Sequence, residues 1–192
     1  MTSYTRLLFL AFLLAISSAW GAHGGELKHI HLYMHEIVTG PDATLFAVVP
    51  PLPGGDNDTR FGMVGVQDDE LRDGPDPSNS SVVGRFQSLF AFAGLVTPPG
   101  MQTATSLVFT AGEHAGSTVV VLGSVVSPVG PYETAVVGGT GAFRMARGYC
   151  ILTALWYPTP ETSVYEVDLF LKLEENLLLA NMDALKRAAY AL

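Results

Sequence analysis

The sequence predicts an all-β, antiparallel domain, either a barrel or a sandwich. Three observations carry that expectation. Two segments alternate apolar with other residues, several further β-rich runs lie between Gly/Pro turns, and no helical pattern separates them. The 192 residues suit one domain with a sizeable core, and 48% hydrophobic against 15% charged excludes an intrinsically disordered chain.

Residues 1–22 precede that domain. Arg6 is followed by an apolar run from Leu7 to Ile16 and then by small residues, the layout of a secretory signal peptide cut near Gly21 or Ala22. The run is short for a membrane anchor, which needs about 20 residues. Removing the leader takes away one base and no acid, so the net charge moves from −8 to −9. That acidity argues against nucleic acid or an anionic membrane as partner. In an exported chain the sequons at Asn57 and Asn79, both in polar Gly/Pro-rich stretches, become glycosylation candidates.

The domain itself is expected over residues 23–173. Residues 27–38 alternate: Ile30, Leu32, Met34, Glu36 and Val38 share one face, and His29, His31, Tyr33 and His35 the other. Further runs follow at Thr44–Val49, Phe61–Gln67, Val82–Phe92, Ser106–Thr110, Thr118–Val126, Ala135–Val137, Arg147–Trp156 and Ser163–Leu173. The last also alternates, with Tyr165, Val167, Leu169, Leu171 and Leu173 together. Turn signals separate the runs, among them Pro98-Pro99-Gly100 and Gly138-Gly139-Thr140-Gly141; the latter reads as a tight turn needing positive φ. Residues 174–192 change period: Leu178, Met182, Leu185, Ala189 and Leu192 line one face of an expected amphipathic helix.

Candidate chemistry is sparse. Glu36 sits among apolar residues, where burial makes it an acid with a raised pKa; at a strand end it equally reaches water. His29 and His31 have the His-x-His spacing that sets two imidazoles beside one metal, but no second cluster in the sequence completes a site. The three histidines therefore read as a polar strand face, and no metal or cofactor is expected. Asp68-Asp69-Glu70 reads as a turn entry or a cation partner, and Cys150 as a buried small hydrophobe. There is no nucleophile elbow and no phosphate loop.

Several stretches, in order, resemble the plant dirigent proteins. They are Tyr33–Gly40, Phe61-Gly62 with Val66–Leu71, Val83–Gln87, Val108–Gly112 and the long block Val136–Gly148, which together span about residues 28–173. The resemblance implies an eight-stranded antiparallel barrel of the allene oxide cyclase type, secretion to the apoplast or cell wall, and homo-oligomers, trimers or dimers. It implies an auxiliary with no oxidative centre of its own. A separate oxidase, a laccase or peroxidase, supplies monolignol radicals, and the barrel orients two of them so that one lignan stereoisomer forms. Pocket acids in such proteins handle quinone methide intermediates. On this likeness Glu36 replaces an aspartate as the acid, and Asp68 and Asp69 match an Asp-Asp pair, with Asp69 either a second catalytic candidate or a structural residue. Val125 and Tyr132 stand where a pocket aspartate and arginine are expected, and Phe90 where a tyrosine is. The departures favour an alternative, a non-catalytic cell-wall binder or scaffold in lignin deposition or defence. A weaker one is a cyclase-like isomerase. An inward Glu36 in a large cavity favours the stereo-directing role.

Overall fold

A computed structural model describes residues 27–53, 59–96, 100–126 and 130–173. They form nine strands: β1 Lys28–Ile37, β2 Leu45–Val49, β3 Val64–Arg72, β4 Val82–Phe92, β5 Met101–Phe109, β6 Thr118–Val125, β7 Tyr132–Thr140, β8 Arg147–Thr159 and β9 Thr162–Lys172. All neighbours pair antiparallel in the order β1-β9-β8-β7-β6-β5-β4-β3-β2. A further pairing of β1 with β3, with Met34 opposite Leu71, joins the two ends of the sheet. β1 and β2 share one flank of β3: β1 covers Glu70–Arg72 and β2 covers Val64–Gln67. The ring is therefore an eight-stranded closed barrel in which one position is filled by two segments. Closure selects the barrel over the sandwich and removes most free sheet edge.

The alternation in β1 becomes inside and outside. Leu32, Met34 and Glu36 are buried, while His29 and His31 stand on the outer surface. At one end the interior is filled by Leu32, Leu71, Phe86, Leu107, Phe109, Val119, Phe143, Leu169 and Leu171, and a 3-10 turn at Gly141–Phe143 delivers Phe143 into that plug. Towards the other end the same strands carry Glu36, Ser88, Phe90, Val125 and Ser163.

Three expected strands differ most in their bounds. β3 begins at Val64 and runs on to Arg72, so Asp68-Asp69-Glu70 is mid-strand rather than a turn entry. Alternation explains how a strand tolerates it: Asp69 and Leu71 point in, while Asp68 meets Arg85 at 2.9 Å and Glu70 meets Arg72 at 2.7 Å outside. β5 and β7 are longer than their apolar centres, because ladder bonds extend through Met101–Thr105 and Gly138–Thr140. Of the Gly138–Gly141 run, Gly141 alone has positive φ, at 60°; Gly138 and Gly139 are strand. Gly139 has no room for a side chain, since a Cβ there would sit 2.4 Å from the Thr118 carbonyl oxygen. The leader at 1–22, Asn57 and the helix expected at 174–192 lie outside the described residues.

Candidate functional site

The open end of the barrel encloses a cavity of about 330 Å³. Its wall is mainly apolar and aromatic, with Met34, Phe86, Phe90, Phe92, Val121, Val125, Tyr132, Leu152 and Tyr165. Polar atoms come from Glu36, Gln67, Ser88, Thr103, Thr105, Thr134 and Ser163, with Arg60 lining it from the β2–β3 connection. Phe90, Val125 and Tyr132 thus lie in one wall, from β4, β6 and β7. Gly65 makes the place for Phe90: the two residues are register partners, and a Cβ at Gly65 would fall 2.1 Å from the ring.

Glu36 faces this space from the end of β1 and is only 8% exposed. Burial raises its pKa, and a hydrogen bond from Ser163, opposite it on β9, offsets part of that rise. Gln67 Nε2 donates to Glu36 Oε1 at 3.0 Å and to Asp69 Oδ2 at 2.5 Å, so one amide joins the two carboxyl groups. Asp69 lies behind that amide with no exposed surface. Burial first, and then the nearby Glu36, push its pKa up to about 7 against the pull of Thr44, Gln67 and Arg85.

Thr44 completes the second layer. Its hydroxyl contacts Asp69 Oδ1, accepts from the Ile37 N–H at 3.0 Å and reaches the Ile37 carbonyl at 3.3 Å. All three contacts are satisfied together when Asp69 is protonated: the carboxyl donates to Thr44, and Thr44 donates to Ile37. The pair can therefore hold a proton near neutral pH beside the cavity. Such a group can donate to a bound oxygen or take a proton back.

Further in, Ser88 and Thr105 hydroxyls bond each other at 2.8 Å. Thr134, 4% exposed, has no hydrogen-bond partner for its Oγ1 among the described residues. Its weak pull on the Cys150 thiol, opposite it on β8 and pushed up to about 12 by burial, does not satisfy it. An unpaired buried hydroxyl on a cavity wall is a ready anchor for a ligand oxygen. At the mouth the Arg60 guanidinium lies 5.7 Å from the centre of the Phe92 ring.

Gln67, Thr44, Ser163, Arg60 and Thr134 did not emerge from the sequence. For Gln67 the signal was there: with Asp69 and Leu71 it occupies every second position of β3. The other four depend on strand pairing or on the course of the β2–β3 connection. On the outer surface the three histidines separate. His29 and His31 both approach Asp168 of β9, whereas His35 Nε2 donates to the Gly74 carbonyl. Asn79 is exposed in the β3–β4 loop.

A family model described as Dirigent-like protein matches residues 27–172. Dirigent protein 1 of Arabidopsis thaliana is 39% identical over 128 residues, covering 66% of this chain and 68% of that protein. Pterocarpan synthase 1 of Glycyrrhiza echinata is 36% identical over 149 residues, covering 76% and 77% respectively. A solved pterocarpan synthase dirigent protein superposes with a TM-score of 0.67 at 32% identity, covering 79% of this chain and 97% of that one.

Proposed function

The chain belongs to the dirigent-like family, and from that premise we propose that it directs the stereochemistry of a phenolic intermediate held in the barrel cavity. One observation carries the reading: a protonatable carboxyl, Glu36, faces a cavity walled by aromatic and aliphatic side chains. The wall fixes which face of an aryl ring is presented. Glu36, its pKa raised by burial, donates its proton to the carbonyl oxygen of a quinone methide. A hydroxyl adds at the exocyclic carbon, the ring regains aromaticity, and the hydroxyl proton returns to the carboxylate. Asp69 acts through Gln67 as a positioning residue and keeps negative charge off the pair.

In the coupling format the intermediate comes from monolignol radicals made by a separate oxidase, and the protein supplies orientation rather than oxidation. The reading includes export through the leader at 1–22, glycans on Asn57 and Asn79, and self-association outside the cell. A pure scaffold in the wall would leave the inward acid and the open cavity without a task.

A specific observation favours a second format, ring closure within one molecule, as the names of the pterocarpan synthase relatives suggest. At about 330 Å³ the cavity lies at the small end of small-molecule pockets, which run from about 300 to 1,000 Å³. That size favours one two-ring phenol over two monolignols held side by side.

The test has two arms. Coniferyl alcohol is oxidised by a one-electron oxidant with and without the protein, and a racemic two-ring benzylic phenol is incubated with the protein alone; products of both are resolved on a chiral column. Enantiomeric excess in the first arm supports coupling, and in the second supports closure. Racemic products in both, or selectivity unchanged in Glu36→Gln, would sink the proposal.

A further inference from the structure

β1 has a second face. While Leu32, Met34 and Glu36 point into the barrel, His29 and His31 point out, and strand pairing sets His31 directly opposite Asp168. His29 Nε2 and His31 Nδ1 each lie 2.7 Å from the same oxygen, Asp168 Oδ1. The three ligand atoms fall within 4.8 Å of one another. We propose that His29, His31 and Asp168 form an open binding site for one divalent late transition ion, zinc or copper(II), on the outer surface of the barrel.

The donor set fits that class. Two imidazole nitrogens and one carboxylate oxygen suit zinc and copper better than calcium or magnesium, which take oxygen ligands. Bonds of about 2.1 Å at tetrahedral angles need donor atoms about 3.4 Å apart, so the widest gap here closes by at most about 1.4 Å. In the metal-free protein both rings donate N–H to Asp168; with an ion bound, those nitrogens must present lone pairs. The surroundings allow the exchange. His31 Nε2 is 2.9 Å from the Tyr33 hydroxyl and 4.0 Å from Glu166 Oε1. A hydroxyl accepts as readily as it donates, so His31 can carry its proton on Nε2 and free Nδ1. His29 is 49% exposed, so once Nε2 binds the ion its Nδ1 can carry the proton towards solvent.

The rings are also held in place. His29 stacks on Phe170 at 4.5 Å and 4°, and Phe170 stacks in turn on Tyr149 at 4.8 Å. His31 packs edge-on against Tyr33 at 4.8 Å. Both imidazoles therefore aim at Asp168 before any ion arrives, which lowers the ordering cost of binding. Three protein ligands leave at least one position for water. The barrel wall separates the ion from the cavity, so its effect is to clamp β1 to β9 and not to enter the chemistry inside.

The full chain, stripped of metal with a chelator, is titrated calorimetrically with zinc chloride and separately with copper(II) chloride near neutral pH. One ion per chain is expected, with binding weakened at least tenfold in His29→Ala, His31→Ala and the shape-conserving Asp168→Asn. His35→Ala and His114→Ala should bind as the parent does. Cobalt(II) should give visible ligand-field bands that His31→Ala removes, and zinc should raise Tm in the parent and not in the variants. Circular dichroism keeps loss of fold apart from loss of site. Binding no tighter in the parent than in the His29→Ala/His31→Ala double variant, or unchanged by all three substitutions, overturns the proposal.

Discussion

The two ends of the barrel interior are built by the same strands to opposite ends. Along β1 the inward residues run Leu32, Met34, Glu36; along β4 they run Phe86, Ser88, Phe90; along β9 they run Leu171, Leu169, Val167, Tyr165, Ser163. The first positions of each series interlock into a dry plug capped by Phe143. The last positions enclose a cavity with a buried acid pair and, among the described residues, a hydroxyl without a hydrogen-bond partner. A closed barrel lets one end supply the packing free energy while the other keeps open space and polar groups that cost stability. The difference teaches where to look for function: in the positions where the inward series turns from apolar to polar.

Substitutions can break this division, and the largest effect belongs to the plug. Leu107, fully buried there, replaced by Ala should lower unfolding free energy by about 2–5 kcal/mol. Urea denaturation measures it, and selectivity per folded molecule should be unchanged. Selectivity lost in step with Glu36→Gln would show that the ends are not independent.

Next is Glu36→Gln itself, which should keep the fold and reduce the acid-assisted rate about a hundredfold, equivalent to about 2.7 kcal/mol of transition-state stabilisation. Single-turnover kinetics on the preferred phenol read it.

Third comes a pH dependence. The Asp69 pKa is about 7 in the folded chain against 3.8 for an ordinary aspartate. A raised acid stabilises the folded state while protonated, so its contribution is full below pH 3.8 and is lost as pH rises through about 7. The urea midpoint should fall over that window, as stability drops by on the order of 4 kcal/mol. Asp69→Asn should flatten most of the slope, the remainder belonging to Glu36, raised by burial as well. A midpoint that rises with pH over the same range would contradict the buried pair.

The smallest effect sharpens the contrast. Thr134→Val removes a buried hydroxyl that has no hydrogen-bond partner among the described residues, so stability should increase by about 1 kcal/mol while ligand affinity falls. Thermal melts and a binding titration on the same variant separate the two.

Much of this was legible in the residues. Alternation in 27–38 identified both faces of β1, and with them the ambiguity of Glu36, which sits on the apolar face but at the strand end. The structure resolves it inward because Ser163 and Gln67 cover the carboxyl. The charged run at Asp68–Glu70 hid a strand, since a carboxyl group inside a barrel is tolerable only beside a hydrogen-bonding partner, and that partner, Thr44, lies far away in sequence. The His-x-His spacing was visible as well, but its third ligand, Asp168, lies 137 residues from His31 and arrives by strand pairing.

By itself the sequence determined the β class, the inward and outward faces of its clearest strands, and the family, because those depend on local period and on motif order. Periodicity left barrel or sandwich open and the family resemblance implied the barrel, whereas the amide bridge between Glu36 and Asp69 and the meeting of His29, His31 and Asp168 were decided by tertiary structure. Each rests on which strands become neighbours and in what register, and period two along a single strand carries no information about its partner.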